Sequence, residues 1–110
     1  MALSARYLVD KSALARMPVP AVEARLRPLI EDGAVGTCAI IDLEILYSSR
    51  NPTDYEAILQ ERMSFDAAPI TPEVMSTAIE IQHALAGRGQ HRVPIPDLII
   101  SAAALRANLV

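Results

Sequence analysis

The sequence predicts an α/β fold, a three-layer α/β/α arrangement around a central parallel sheet. Two observations carry this expectation: short apolar runs alternate with stretches of helical periodicity, and proline and glycine punctuate the chain between them. With 110 residues, 52% of them hydrophobic, the chain has the size of one domain, residues 1–110, and enough apolar side chains to bury a core.

The elements follow in order. Tyr7-Leu8-Val9 is a short apolar run that ends at Asp10, and Ser12 can cap a short helix through Leu14 before Pro18 and Pro20 close it. Pro20 suits a helix start, and Val22, Leu26, Leu29 and Ile30 recur at helical spacing up to Gly33, a C-terminal cap. Pro28 is the discordant residue, and a bend is expected there. Ala34 to Ala39 reads as a second strand; the apolar run Cys38 to Leu46 is ambiguous, its later part reading better as helix, and Asn51-Pro52 ends it.

Thr53-Asp54-Tyr55-Glu56 has the form of a capping box, with Tyr55, Ile58, Leu59 and Met63 following on one face. Ala67 to Ile70 is a third strand, and Thr71-Pro72-Glu73 joins an N-cap to a proline at the first helical position. Val74, Ala78, Ile81 and Leu85 make an apolar stripe that Gly87 and Gly89 stop. The polar loop Gln90-His91-Arg92 leads to Pro94-Ile95-Pro96-Asp97, where Asp97 can cap a helix running to about Ala107, and Asn108-Leu109-Val110 reads as a strand just starting.

Composition narrows the function classes. No apolar run reaches the roughly 18 to 20 residues of a membrane span. The N-terminus lacks the basic start and long apolar stretch of a signal peptide, so a cytoplasmic location is expected. The lone Cys38 has no Cys or His at metal-site spacing and reads as a buried small hydrophobe. A formal net charge of −3 argues weakly against a nucleic-acid binder. Carboxylates that hold metal ions can account for part of that charge, and Arg50, Arg88 and Arg92 can still line a groove.

Three carboxylates stand out: Asp10 at the end of the first strand, Glu44 in the helix after the second, and Asp97 at a later helix start. In a parallel sheet the strand C-termini and the following helix N-termini lie on one side, so these groups can converge into a hard-cation site suited to phosphodiester hydrolysis. Plainer roles stand beside this one. Asp10 can terminate a strand and cap a helix, and Asp97 can be an N-cap alone. Glu44 is harder to dismiss, because helical spacing sets it beside Ile40, Ile41, Tyr47 and Ser48, where an unpaired carboxylate is costly. Asp42 faces elsewhere on the helix and reads as solvated or capping. Lys11 reads as a solvated charge at a strand end, His91 and Arg92 as solvated loop residues, and Tyr47, Tyr55 and Phe65 as core or dimer-surface residues.

The segments Tyr7-Leu8-Val9-Asp10-Lys11-Ser12-Ala13-Leu14, Asp42-Leu43-Glu44-Ile45-Leu46-Tyr47-Ser48-Ser49-Arg50 and Gly89 through Ala104 resemble, in that order, the three motifs of the PIN domains of bacterial toxin–antitoxin pairs called VapC. The resemblance implies a PIN-like fold and a magnesium-dependent endoribonuclease toxin, with manganese as a substitute cation. Asp10, Glu44 and Asp97 would be its catalytic and metal-binding residues. It further implies single-stranded RNA as substrate, transfer RNA often among the targets, inhibition by a VapB-type antitoxin, and a homodimer. Members of the family continue beyond the strand that begins at Leu109 to a further acidic residue and a final helix and strand. The resemblance therefore implies that the last strands and a fourth carboxylate are missing from residues 1–110. Two other classes compete: an inactive truncated toxin that only binds antitoxin or dimerises, and a phosphotransfer or haloacid-dehalogenase-like domain. Ser12 in place of a second aspartate counts against the last.

Overall fold

The computed structural model describes residues 7–8, 19–31 and 34–107. Asp10, Lys11, the helix expected from Ser12, the Gly33 cap and the strand expected at Leu109 lie outside the described residues, as does the Val22 side chain.

Three strands form one parallel sheet in the order β1 (Tyr7–Leu8), β2 (Val35–Thr37), β3 (Asp66–Ala67). Tyr7 pairs with Val35 and Leu8 with Gly36, while Gly36 pairs with Asp66 and Thr37 with Ala67. Central β2 is buried throughout, which fits a parallel strand covered on both faces. It ends earlier than the apolar run suggests: Cys38, extended at φ −143° and ψ 166°, is the N-cap of the next helix, and Ala39 is already helical. The third strand also ends sooner than expected. Ala68 still donates its N–H to the Thr37 carbonyl at 2.7 Å, but Pro69 has no N–H to continue the ladder.

Five helices are described: α1 (Pro20–Glu31), α2 (Ala39–Tyr47), α3 (Pro52–Met63), α4 (Pro72–Ala86) and α5 (Ile95–Arg106). Helix α1 starts at Pro20 and continues through Pro28, with Leu26, Leu29 and Ile30 half-buried. The expected capping box at Thr53 is not the start of α3. Asn51 is the N-cap, its side-chain oxygen accepting from the Asp54 N–H at 2.8 Å, and Pro52 follows at the first turn, where a missing N–H costs nothing. The Thr71 cap of α4 is as expected, with Oγ1 accepting from the Val74 N–H at 3.2 Å. Helix α4 stops at Gly87, and Gly89 takes φ +71°, the left-handed conformation glycine reaches without strain.

The core gathers Cys38 and Ile41 from the start of α2, Ala68, Val74 and Ala78 of α4, and Leu98, Ala102 and Ala103 of α5. Four of these are alanines, and small side chains on facing helices allow close approach, as α4 and α5 make along their packed faces. Helix α2 packs on both α3 and α5. The stripe expected on α3 is not core: Ile58 and Leu59 are half-buried, whereas Tyr55 and Met63 are exposed, as is Tyr47 of α2. Among the described residues no helix is long and apolar enough to cross a membrane.

Candidate functional site

Helix α2 carries the most informative chemistry. Its inward side, with buried Cys38 at the N-cap, buried Ile41 and half-buried Ile45, packs on the core, which leaves Asp42 on one flank and Glu44 on the other. Both carboxylates are half-buried, but their surroundings differ. Asp42 is engaged through one oxygen: its Oδ1 accepts from the Thr37 hydroxyl at 2.7 Å and from Nε of Arg62 at 2.9 Å. The Nη2 of Arg62 donates to Thr37 Oγ1 at 2.9 Å, closing a ring of three hydrogen bonds between the end of β2, the first turn of α2 and the last turn of α3. Arg62 is only 4% exposed, and its guanidinium lies 4.6 Å from the centre of the Phe65 ring. This buried cation thus has an ion-pair partner, a hydroxyl acceptor and an aromatic face beside it, the compensation that a buried charge needs.

The solvated or capping role expected of Asp42 is therefore corrected to that of an ion-pair partner. No local motif in the sequence points to Arg62 or Thr37. The available signal was Arg62 itself, which follows Ile58 and Leu59 by four and three residues and so shares their inward helix face.

Glu44, by contrast, makes no hydrogen bond or ion pair with a described residue. The apolar neighbourhood expected around it is present on one side only, since Ile41 is buried and Ile40 packs on the core while Tyr47 is 89% exposed. Asp97 sits in the first turn of α5, exposed. It does not cap that helix: Pro94 is the N-cap residue, and Asp97 is the third helical residue, where its charge complements the helix dipole. Glu44 and Asp97 thus belong to two helices that pack on each other. Among the described residues no group of three His, Cys, Asp or Glu side chains stands close enough to hold a metal ion. Of the three expected ligands, Asp10 lies outside the described residues. The two described candidates, Glu44 and Asp97, offer carboxylate oxygens, the donor chemistry of a hard cation and not of a soft one.

The remaining candidates are surface groups. Arg50 donates its backbone N–H to Asp54 Oδ2 at 3.0 Å, and this bond, with the guanidinium beside it, holds the Asp54 carboxyl below its usual range. His91, Arg92 and Arg88 are exposed, in keeping with solvated loop residues. Cys38 is fully buried, and burial pushes its thiol up, so it behaves as a small apolar side chain.

Comparison with known proteins matches this frame. The family model described as PIN domain matches residues 7–110. Ribonuclease VapC51 of Mycobacterium tuberculosis is 39% identical over 108 residues, covering 98% of this chain and 79% of that protein. Ribonuclease VapC21 of the same organism is 45% identical over 104 residues, covering 93% of this chain and 75% of that protein. A chain in the crystal structure of VapBC2 from Rickettsia felis bound to a DNA fragment from their promoter superimposes with a TM-score of 0.74, at 15% identity, over 94% of this chain and 82% of that one. At that identity the last likeness speaks to fold alone, and the fold it supports is the α/β arrangement with a parallel sheet that the strand order displays. With the family model spanning nearly the whole chain and two VapC proteins at this level of identity, the chain belongs to the PIN domain family, among its VapC members.

Proposed function

We propose that this chain is a metal-dependent endoribonuclease, the toxin of a type II toxin–antitoxin pair. The observation that carries this reading is the identity of 39% and 45% to proteins named ribonucleases, over 98% and 93% of the chain. Three acidic residues fall in the matching motif segments. In this reading Asp10, Glu44 and Asp97 hold Mg2+, with Mn2+ as a substitute, at typical oxygen distances of about 2.0 to 2.6 Å. A bound cation of this kind polarises a phosphodiester and offsets the charge that develops during its hydrolysis.

The chain's own residues supply the rest. Glu44 brings a carboxylate that has no described competitor for its lone pairs, on a helix anchored by Ile41 in the core. Asp97 adds a second from the first turn of α5, next to an N-terminus whose free N–H groups favour negative charge, including that of an RNA phosphate. Single-stranded RNA, transfer RNA among it, is the proposed substrate. A VapB-type antitoxin is the proposed inhibitor, supported by the VapBC2 complex whose chain shares the fold.

The test is cleavage of single-stranded RNA by the purified chain with Mg2+, with Mn2+, and with EDTA. Cleavage that needs the metal and disappears in Asp10→Asn and Glu44→Gln is the expected result. Cleavage that survives either substitution would point to a contaminating nuclease and remove the basis of the assignment.

A further inference from the structure

The ring formed by Thr37, Asp42 and Arg62 makes no hydrogen bond to Glu44 or Asp97, the two described candidate ligands, yet it lies on the helix that carries Glu44. At about 100° per residue, Asp42 stands about 100° to one side of Ile41, and Glu44 about 60° to the other. The roll of α2 about its own axis therefore sets both side chains at once. Apolar contacts such as those of Ile41 and Ile45 are non-directional and tolerate a small roll, whereas three hydrogen bonds between 2.7 and 2.9 Å do not. For a carboxylate about 6 Å from a helix axis, a roll of about 10° is a displacement of about 1 Å.

We propose that Arg62, acting through Asp42 and Thr37, is a positioning residue for Glu44: the buried ring locks the roll of α2 against β2 and α3 and so fixes where the Glu44 carboxylate stands. Arg62 suits this role better than a lysine. Its planar fork bonds Asp42 through Nε and Thr37 through Nη2 while its face rests on Phe65, and a single ammonium cannot reproduce that arrangement. The ring also ties β2, through Thr37, and α3, through Arg62, to the first turn of α2. This inference rests on the reading of Glu44 as a metal ligand.

The test uses the whole chain, with manganese as the metal probe. In Asp42→Leu/Arg62→Met the ring is replaced by apolar side chains with no change of net charge, a replacement that commonly preserves stability. The expected result is a melting temperature close to the parent's but Mn2+ binding, read by titration calorimetry, weakened about tenfold, since a 1 Å error in a preorganised site costs on that order or more. The Mg2+ concentration for half-maximal RNA cleavage should rise by the same factor, with KM for RNA unchanged. Thr37→Val keeps the β-branched shape and the ion pair while removing the hydroxyl that joins them, and it is the second variant should the double replacement fold poorly. It should weaken Mn2+ binding about threefold, as one of several positioning bonds is lost. Parent-like Mn2+ binding in either folded variant overturns the positioning role and leaves the ring a structural lock alone. A parent chain that binds no Mn2+ overturns the metal-site reading itself, and the inference with it.

Discussion

Two carboxylates separated by one residue, Asp42 and Glu44, show how little of a side chain's role lies in its type. Asp42 is consumed by Thr37 and Arg62, so its charge contributes to the fold. Glu44 is half-buried without a described partner, so no described contact of the fold depends on its charge. Opposite mutational outcomes follow. Glu44→Gln should leave the thermal midpoint of the metal-free chain unchanged or raise it by a few degrees, while removing metal-dependent cleavage and any stabilisation by added Mg2+. Thermal melts with and without the cation check this, and a clear loss of stability in the metal-free variant would show that Glu44 has a structural partner. Cys38 gives a second expectation at this scale. Burial raises its thiol above the ordinary value of 9.0, so the folded state holds the proton to higher pH than the unfolded state does. The sign is that stability is full below the unfolded thiol's pKa and falls as pH rises above it. Native chain at pH 8 should resist iodoacetamide, and denatured chain should react; equal labelling of both would show that Cys38 is accessible.

At the scale of elements, the caps separate what local sequence specifies from what it only suggests. Asn51 and Thr53 both have the chemistry of an N-cap, and the capping-box pattern favoured Thr53. The structure has Asn51 as the cap, because Pro52 is well suited to the first turn and the helix can start two residues earlier at no hydrogen-bond loss. Asn51→Ala should therefore cost about 1 kcal/mol, and Thr53→Ala close to nothing, in denaturant titrations. Equal losses would restore the capping box. The same division runs through the whole fold. The alternation of strands and helices, the Thr71 cap, the Gly87 stop and the burial of Cys38 were legible because each rests on periodicity or on one residue's backbone chemistry. Strand ends were not, because Thr37 and Ala67 end their ladders through events outside the strand: Cys38 turning into α2, and Pro69 lacking a donor. The candidate site divides likewise. Glu44 and Asp97 could be found as acids at helix positions, but the Arg62 contact with Asp42 spans twenty residues, and no local pattern reports which charge a buried arginine will meet.

For the molecule as a whole, the surface left apolar by this packing calls for a partner. Tyr47 is 89% exposed and Leu43 62%, four residues apart on one face of α2; Met63 is 71% exposed and Tyr55 41% on α3, the helix packed beside it. Single exposed apolar residues are ordinary, and we propose that these larger ones, carried on two adjacent helices, serve an association surface. A two-fold homodimer is the economical solution, since one self-complementary patch then covers both copies. Tyrosine suits such a surface, offering a large apolar body with a hydroxyl that can stay wet at the rim. The expected outcome is that the chain sediments as a dimer at micromolar concentration, and that Tyr47→Glu, which buries a charge in any such interface, shifts it to monomer. Because Tyr47 is almost wholly exposed in the single chain, the substitution should leave the thermal midpoint of the monomeric species nearly unchanged. Sedimentation of the parent as monomer alone at high concentration would assign the patch to another protein, the antitoxin first. A Tyr47→Glu variant that remains a dimer would place the interface elsewhere, with the groove between α4 and α5 lined by Met75, Ile79 and Ile95 as the next face to substitute.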